Sequence, residues 1–229
     1  MKHLYNYSKS GFDQLVEENN IHNWWIYNKS IDERHDAICN KEYYSKLKTW
    51  ADRAHISYNE AEIVSWIDGM CMLYYALNDE ENMLKNLRII GELHIPFSNC
   101  RADCVLVMDN KILIIEFTYK NNNQNRKKKY EEKLNQVIYY KELLSNALPK
   151  HIEIATYSFP IEVETDEFNN PIYVNSDITK EQVSKNHDNC YYLGQFIKKF
   201  FKTTQKTAMD ELYSLDDKML RNMKKKSVV

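Results

Sequence analysis

Residues 101–120, RADCVLVMDNKILIIEFTYK, constrain the fold more than any other stretch of the chain. Two runs rich in β-branched and aliphatic residues, CVLVM and KILIIEF, flank Asp109-Asn110, a pair that favours a tight turn. With those two residues as the loop, Met108 faces Lys111, and Asp103 falls opposite Glu116. Directly opposed residues have Cα atoms about 4.5–5.5 Å apart. Two carboxylates that close repel each other, so the pairing calls for something positive between them. A divalent cation suits, because hard cations take carboxylate oxygens. Val105, Val107, Ile112 and Ile114 share the face of the two acids, and the alternate positions are apolar as well. Both faces are therefore expected to be buried, with the acids at one end of an apolar stripe. The plainer alternative is an ordinary solvated hairpin face.

Alternation also puts Glu116, Thr118 and Lys120 on one face, with Lys120 roughly 13 Å along the strand from Glu116. Two acids and a lysine are the side chains of metal-dependent phosphodiester cleavage. Asp103 and Glu116 would hold Mg2+ or Mn2+, which activates water and stabilises the leaving oxygen. The lysine would stabilise developing negative charge or help to deprotonate the water. If Lys120 does not supply that charge, Lys129 or Lys133 on the following helix is the next to test.

These residues resemble the PD-(D/E)XK nuclease superfamily. The segments Glu92-Leu-His-Ile-Pro96, Arg101-Ala-Asp103 and Ile115-Glu116-Phe117 are similar to the nuclease-like domain found before NTPase modules in some bacterial and phage proteins. Gln136 and Tyr140 match a pattern frequent in RecB-like members. The resemblance covers roughly residues 58–158. It implies a restriction-endonuclease-like α/β fold: a mixed sheet in the order αβββαβ, flanked by helices. It also implies that Gln136 and Tyr140 orient the site lysine and the nucleic-acid backbone. Glu62 would be an extra metal ligand or only a capping residue, and Glu92 a further ligand or a structural acid paired with Arg101. The family's Glu-x-Lys has Thr118 in its third position here, with Lys120 one strand repeat further on. Two functions follow: a metal-dependent nuclease, or a degenerate module that binds nucleic acid or a protein. A structural subunit of a larger complex is a third, weaker reading.

The rest of the chain frames this core. Residues 59–77 carry apolar side chains at Ile63, Trp66, Ile67, Met70, Leu73, Tyr74 and Leu77, a helical rhythm, with Asn59 and Glu62 spaced as a capping box. Residues 87–95 read as a strand with a bend or bulge at Gly91. Residues 126–147 read as a helix with Tyr130, Leu134, Val137, Ile138, Lys141 and Leu144 along one side. IEIATYSF, 152–159, reads as a strand, 160–178 as irregular, and 191–205 and 207–225 as helices. The expected organisation is a helical extension over 1–57, the nuclease-like core over 58–178, and helices over 179–229 packed on that core. A formal charge of −2 leaves any nucleic-acid contact to local patches. Arg126, Lys127, Lys128, Lys129 and Lys133 form the densest one, and DNA is preferred to RNA as the partner. A homo-oligomer or larger assembly also fits. Five cysteines without dense spacing suggest a reduced, cytoplasmic chain, and Cys100 and Cys104 read better as core residues than as zinc ligands with His94 and His187. Neither a signal peptide nor a membrane span is expected.

Overall fold

The computed structural model describes residues 1–26, 31–77, 83–96, 98–119, 126–161, 164–165, 171–172, 186–202, 208–209, 212–213 and 215. For 24–26, 31–34, 118–119, 126–131, 160–161, 164–165, 171–172 and 186–189 the backbone alone is described.

The hairpin forms in the expected register. Strands β3 (Arg101–Met108) and β4 (Lys111–Tyr119) pair antiparallel from Met108 opposite Lys111 to Cys104 opposite Ile115. Asp109 takes the left-handed conformation at φ 55°, which a short polar side chain tolerates. The turn is fastened to the segment before β5 (Glu153–Ile161): the Asn110 amide donates to the His151 carbonyl at 3.1 Å, and Glu153 N–H donates to the Asn110 carbonyl at 2.9 Å.

Around the hairpin lies a five-stranded mixed sheet in the order β1-β2-β3-β4-β5. Strand β2 (Arg88–His94) pairs antiparallel with β3, and β5 runs parallel to β4, the two being joined through helix α5 (Arg126–Ala147). The first strand, β1 (Tyr5–Ser8), comes from the expected helical extension and closes the sheet against β2. That extension also carries α1 (Lys9–Glu18), α2 (Ile31–Ile38) and α3 (Glu42–Ala54). Helix α4 (Glu60–Ala76) follows, capped as its sequence indicates: Asn59 Oδ1 accepts from Glu62 N–H at 3.0 Å, and Glu62 Oε2 accepts from Asn59 N–H at 2.8 Å. A two-stranded ribbon of β6 (Glu164–Thr165) and β7 (Pro171–Ile172) lies in the segment read as irregular. Helix α6 (Asn186–Phe201) starts earlier than the sequence suggests. Most of the helix expected over 207–225 lies outside the described residues. No described helix is long and apolar enough to cross a membrane.

Both faces of the sheet are buried. On one, Ile89, Cys104, Leu106, Leu113 and Ile115 join α4 and α6 through Ile67, Met70, Leu193 and Ile197. On the other, Val105, Val107, Ile112 and Ile114 join α5 through Val137, Tyr140 and Leu144. The stripe on α5 is rotated from the one read in the sequence. Leu134 and Ile138 remain 36% and 42% exposed, whereas Val137, Tyr140 and Leu144 turn inward. Lys133 lies four residues before Val137 and so belongs to the same inward stripe.

Gly91 is not a bulge. The β2–β3 register keeps one offset from Arg88 opposite Val107 to His94 opposite Arg101, pausing only at Glu92 and Asp103, so no extra residue is inserted at the glycine. The glycine makes room instead, because a Cβ there would overlap the Tyr5 ring from β1. The bend falls one residue on, at Glu92, which holds a left-handed φ of 54°. It resets the alternation, and Ile90 and Leu93 both join the cluster beneath α5.

Candidate active site

The sheet register sets four polar side chains in one row. Continued by one step, the β2–β3 and β3–β4 registers bring Glu92 opposite Asp103 and Asp103 opposite Glu116, and Glu116 pairs with Ser158 of β5. At this row the β3–β4 ladder gives way to side chains. Glu116 Oε1 accepts from Asp103 N–H at 3.0 Å, and Asp103 Oδ2 accepts from Phe117 N–H at 2.8 Å. Each acid thus satisfies the backbone of the opposite strand while keeping lone pairs for other partners.

The cation comes from α5. Lys133 Nζ lies 2.6 Å from Glu116 Oε2 and 4.0 Å from Asp103 Oδ2. Lys120 lies outside the described residues, as do the side chains of Thr118, Arg126, Lys127, Lys128 and Lys129. The backbone puts 126–129 in the first turn of α5, one turn before Lys133. The sequence held a signal for Lys133: it is in step with Val137, Tyr140 and Leu144, the helix positions that face the sheet.

Glu92 and Glu62 are joined through Arg101. The guanidinium pairs with Glu92 through Nε, reaches Glu62 Oε1 at 3.0 Å and donates to the Ser57 carbonyl at 3.1 Å. With its other oxygen in the capping box, Glu62 has both oxygens engaged at the start of α4. Tyr140 is buried; it accepts from the Gln136 amide and donates to the Arg101 carbonyl at 3.2 Å. The Gln136–Tyr140 pair therefore ties α5 to β3 at the residue that holds Glu92.

Electrostatics follow from this packing. Glu116 is 0% exposed, and burial followed by the Asp103 charge pushes its carboxyl up to about 8 against the pull of Lys133. Burial and Asp103 likewise push Glu92 well above the carboxylate range despite Arg101. Asp103 keeps 27% of its side-chain surface, but that surface looks into a cavity, and burial still raises its pKa against Lys133 and the Phe117 N–H. For Lys133, burial disfavours the charge, yet Asp103 and Glu116 outweigh it and hold the ammonium above its ordinary pKa. Three recessed acids, Glu92, Asp103 and Glu116, thus face two cations, Arg101 and Lys133. The surplus negative charge has to be met by a proton or by an added cation.

The cavity beside the row has a volume of about 260 Å³. It is lined by the charged side chains of Glu62, Glu92, Arg101, Asp103 and Lys133 and by Tyr5, Trp66 and Phe117, each of which keeps under a tenth of its surface. Ser158 Oγ is buried without a hydrogen-bond partner among the described residues. Among those residues no three His, Cys, Asp or Glu side chains form a ready metal cage. Mg2+, however, is commonly held by one or two carboxylates and several waters. Asp103 and Glu116 offer hard oxygens of that kind, beside a surplus negative charge and an orphaned hydroxyl that a bound water would satisfy.

Comparison of the chain with protein-family models, with curated proteins and with solved structures gives no match in any of the three.

Proposed function

We propose that the protein is a Mg2+- or Mn2+-dependent nuclease whose site is Asp103, Glu116 and Lys133. The observation that carries this reading is the Lys133 ammonium, 2.6 Å from Glu116 and 4.0 Å from Asp103, set against two acids opposed across one hairpin. The element order α4-β2-β3-β4-α5-β5 is also that of a restriction-endonuclease-like core. In this reading the family's lysine has moved from the strand to the helix, which accounts for Thr118.

In the reaction a water oxygen bonds to phosphorus while the bond to one sugar oxygen breaks. The water gives up a proton and the departing oxygen takes one. Asp103 and Glu116 would hold the divalent cation, which would supply charge stabilisation and a more acidic water. Lys133, held charged by its neighbours, faces the negative charge that gathers on the phosphoryl oxygens. Arg101 fixes Glu92 at the end of the row, and Tyr140 fixes Arg101. Glu92 is thereby a positioning acid, with one oxygen engaged by Arg101.

Asp103→Ala and Glu116→Ala should each abolish cleavage of DNA or RNA in Mg2+ or Mn2+ while far-ultraviolet circular dichroism stays that of a folded protein. Wild-type cleavage rates in both variants would remove the nuclease from this site. One observation favours a second reading, a nuclease-like module that binds without cutting: Lys133 already compensates Glu116 by itself. Titration with Mn2+ separates the two, since a binding module of that kind gains no thermal stability from the metal.

A further inference from the structure

The first strand carries a hydroxyl to the acids. Tyr5 of β1 pairs with Gly91 of β2, and Gly91 pairs with Cys104 of β3. The Tyr5 ring lies across that row. A Cβ at Gly91 would overlap Cε1 and Cζ of Tyr5, and Cζ is the carbon that bears the hydroxyl. The hydroxyl is thus one bond from the space above Gly91, the residue before Glu92, and Gly91 in turn faces the residue after Asp103. Tyr5 also lines the same cavity as Glu92, Asp103 and Lys133. Burial first, and then Cys104, Glu92 and Asp103, hold its phenol well above the ordinary value, so the hydroxyl keeps its proton and can donate.

The fold makes no use of this hydroxyl. The ring packs beside Tyr7 and Phe12, with centroids 6.0 and 6.2 Å away, and a phenyl group would pack there as well. Among the described residues the hydroxyl makes no hydrogen bond. Nor is it sealed in, since Tyr5 keeps 8% of its surface and lines the cavity. The cations that line the cavity are already engaged, Arg101 by Glu92 and Glu62 and Lys133 by Glu116. Tyr5 adds a neutral donor with nothing to donate to. A phosphodiester brings acceptor oxygens to the acids, and negative charge gathers on them as it reacts.

We propose that Tyr5 is a further catalytic residue of this site, its hydroxyl donating a hydrogen bond to a non-bridging oxygen of the phosphate held beside Asp103 and Lys133. The proton stays on Tyr5, and no group is transferred to it. The role rests on the nuclease reading and adds to it strand β1, which lies outside the residues 58–158 that the family resemblance covers.

Tyr5→Phe keeps the ring over Gly91 and removes the oxygen alone. The full chain is assayed in Mn2+ on a short oligonucleotide, DNA or RNA, with an ordinary phosphate at the linkage that is cut and then with each phosphorothioate diastereomer there. Sulfur accepts hydrogen bonds poorly, and Mn2+ tolerates it as a ligand better than Mg2+ does. On the ordinary phosphate Tyr5→Phe should lower kcat about 10–100-fold, with KM, the urea midpoint and the thermal stabilisation by Mn2+ unchanged. On one diastereomer the same substitution should cost less than about threefold, because sulfur has already removed the bond, while on the other it should cost the full amount. Wild-type kcat in Tyr5→Phe overturns the role and leaves the nuclease reading standing. So does an equal loss on all the substrates with a lowered urea midpoint, which would assign the hydroxyl to the fold. No cleavage by the wild type in Mn2+ or Mg2+ refutes the nuclease reading and the role with it.

Discussion

Replacing Glu116 by glutamine should change how stability depends on pH. In the fold its carboxyl is pushed up to about 8, against 4.5 for the free group, by burial and then by Asp103. Between those two values the folded protein keeps a proton that the unfolded chain has released. Stability from this group is therefore complete below about pH 4.5 and is lost as pH climbs to about 8. Each pH unit of that gap corresponds to 1.36 kcal/mol, so the ceiling on the loss is about 5 kcal/mol. Movement of Lys133 and entry of water relax the buried charge, and about 2–4 kcal/mol is the expected swing. Lys133 stays charged throughout this window because its pKa lies above the ordinary lysine value. Glutamine copies the shape of the protonated acid and does not titrate. Its amide beside Lys133 adds a constant offset, so the slope carries the information. Urea denaturation of both proteins at pH 5, 7 and 9 without divalent ions gives two stability curves. The variant should gain on the wild type from pH 5 to about 8 and then level off. Asp103 and Glu92 remain in both proteins, so the difference reports Glu116 together with its hold on them. Parallel curves would show that Glu116 is already ionised in the fold at neutral pH, and the account of a charge surplus at the site would fail.

Lys133→Ala should slow cleavage by about 10²–10³-fold with little change in the thermal stabilisation given by Mn2+, because ammonium is not a metal ligand. Lys120→Ala should stay near wild type, and the reverse ranking in single-turnover rates would return the role to the strand. Gly91→Ala should cost about 1–3 kcal/mol in urea denaturation, since its Cβ overlaps the Tyr5 ring; a neutral effect would mean that β1 shifts freely. Tyr140→Phe leaves the Arg101 carbonyl without its buried donor and should lower stability by about 1 kcal/mol, read as a fall in Tm.

The sequence carried local structure well and long-range placement poorly. The hairpin register follows from a two-residue turn between alternating runs, and the α4 cap follows from Asn59 and Glu62, so both are visible in short windows. The pairing of Arg101 with Glu92 is legible too, since acid and base are close on adjacent strands. Lys133 was visible as part of a basic patch and, with Lys129, as the cation to test after Lys120. Its role depends on how α5 is rolled on the sheet, and Leu134 and Ile138 blur the apolar stripe that fixes the roll. Strand β1 was missed because Tyr5–Ser8 is four residues long and pairs with a strand some eighty residues away. The glycine at 91 drew attention to the right place for the wrong reason. It signals a close approach by Tyr5, while the unusual backbone belongs to the charged residue after it.

That residue sets a limit on how the chain can be improved. At φ 54°, Glu92 occupies a conformation that costs an ordinary L-residue about 1–2 kcal/mol. Glycine or asparagine would take it more cheaply. A sequence designed for this backbone on stability alone would therefore discard glutamate at 92. In doing so it would release Arg101 from one of its two carboxylates and loosen the end of the acidic row. A library randomised at this position should part in two, with glycine and asparagine enriched by selection for heat resistance and glutamate kept by selection for the site.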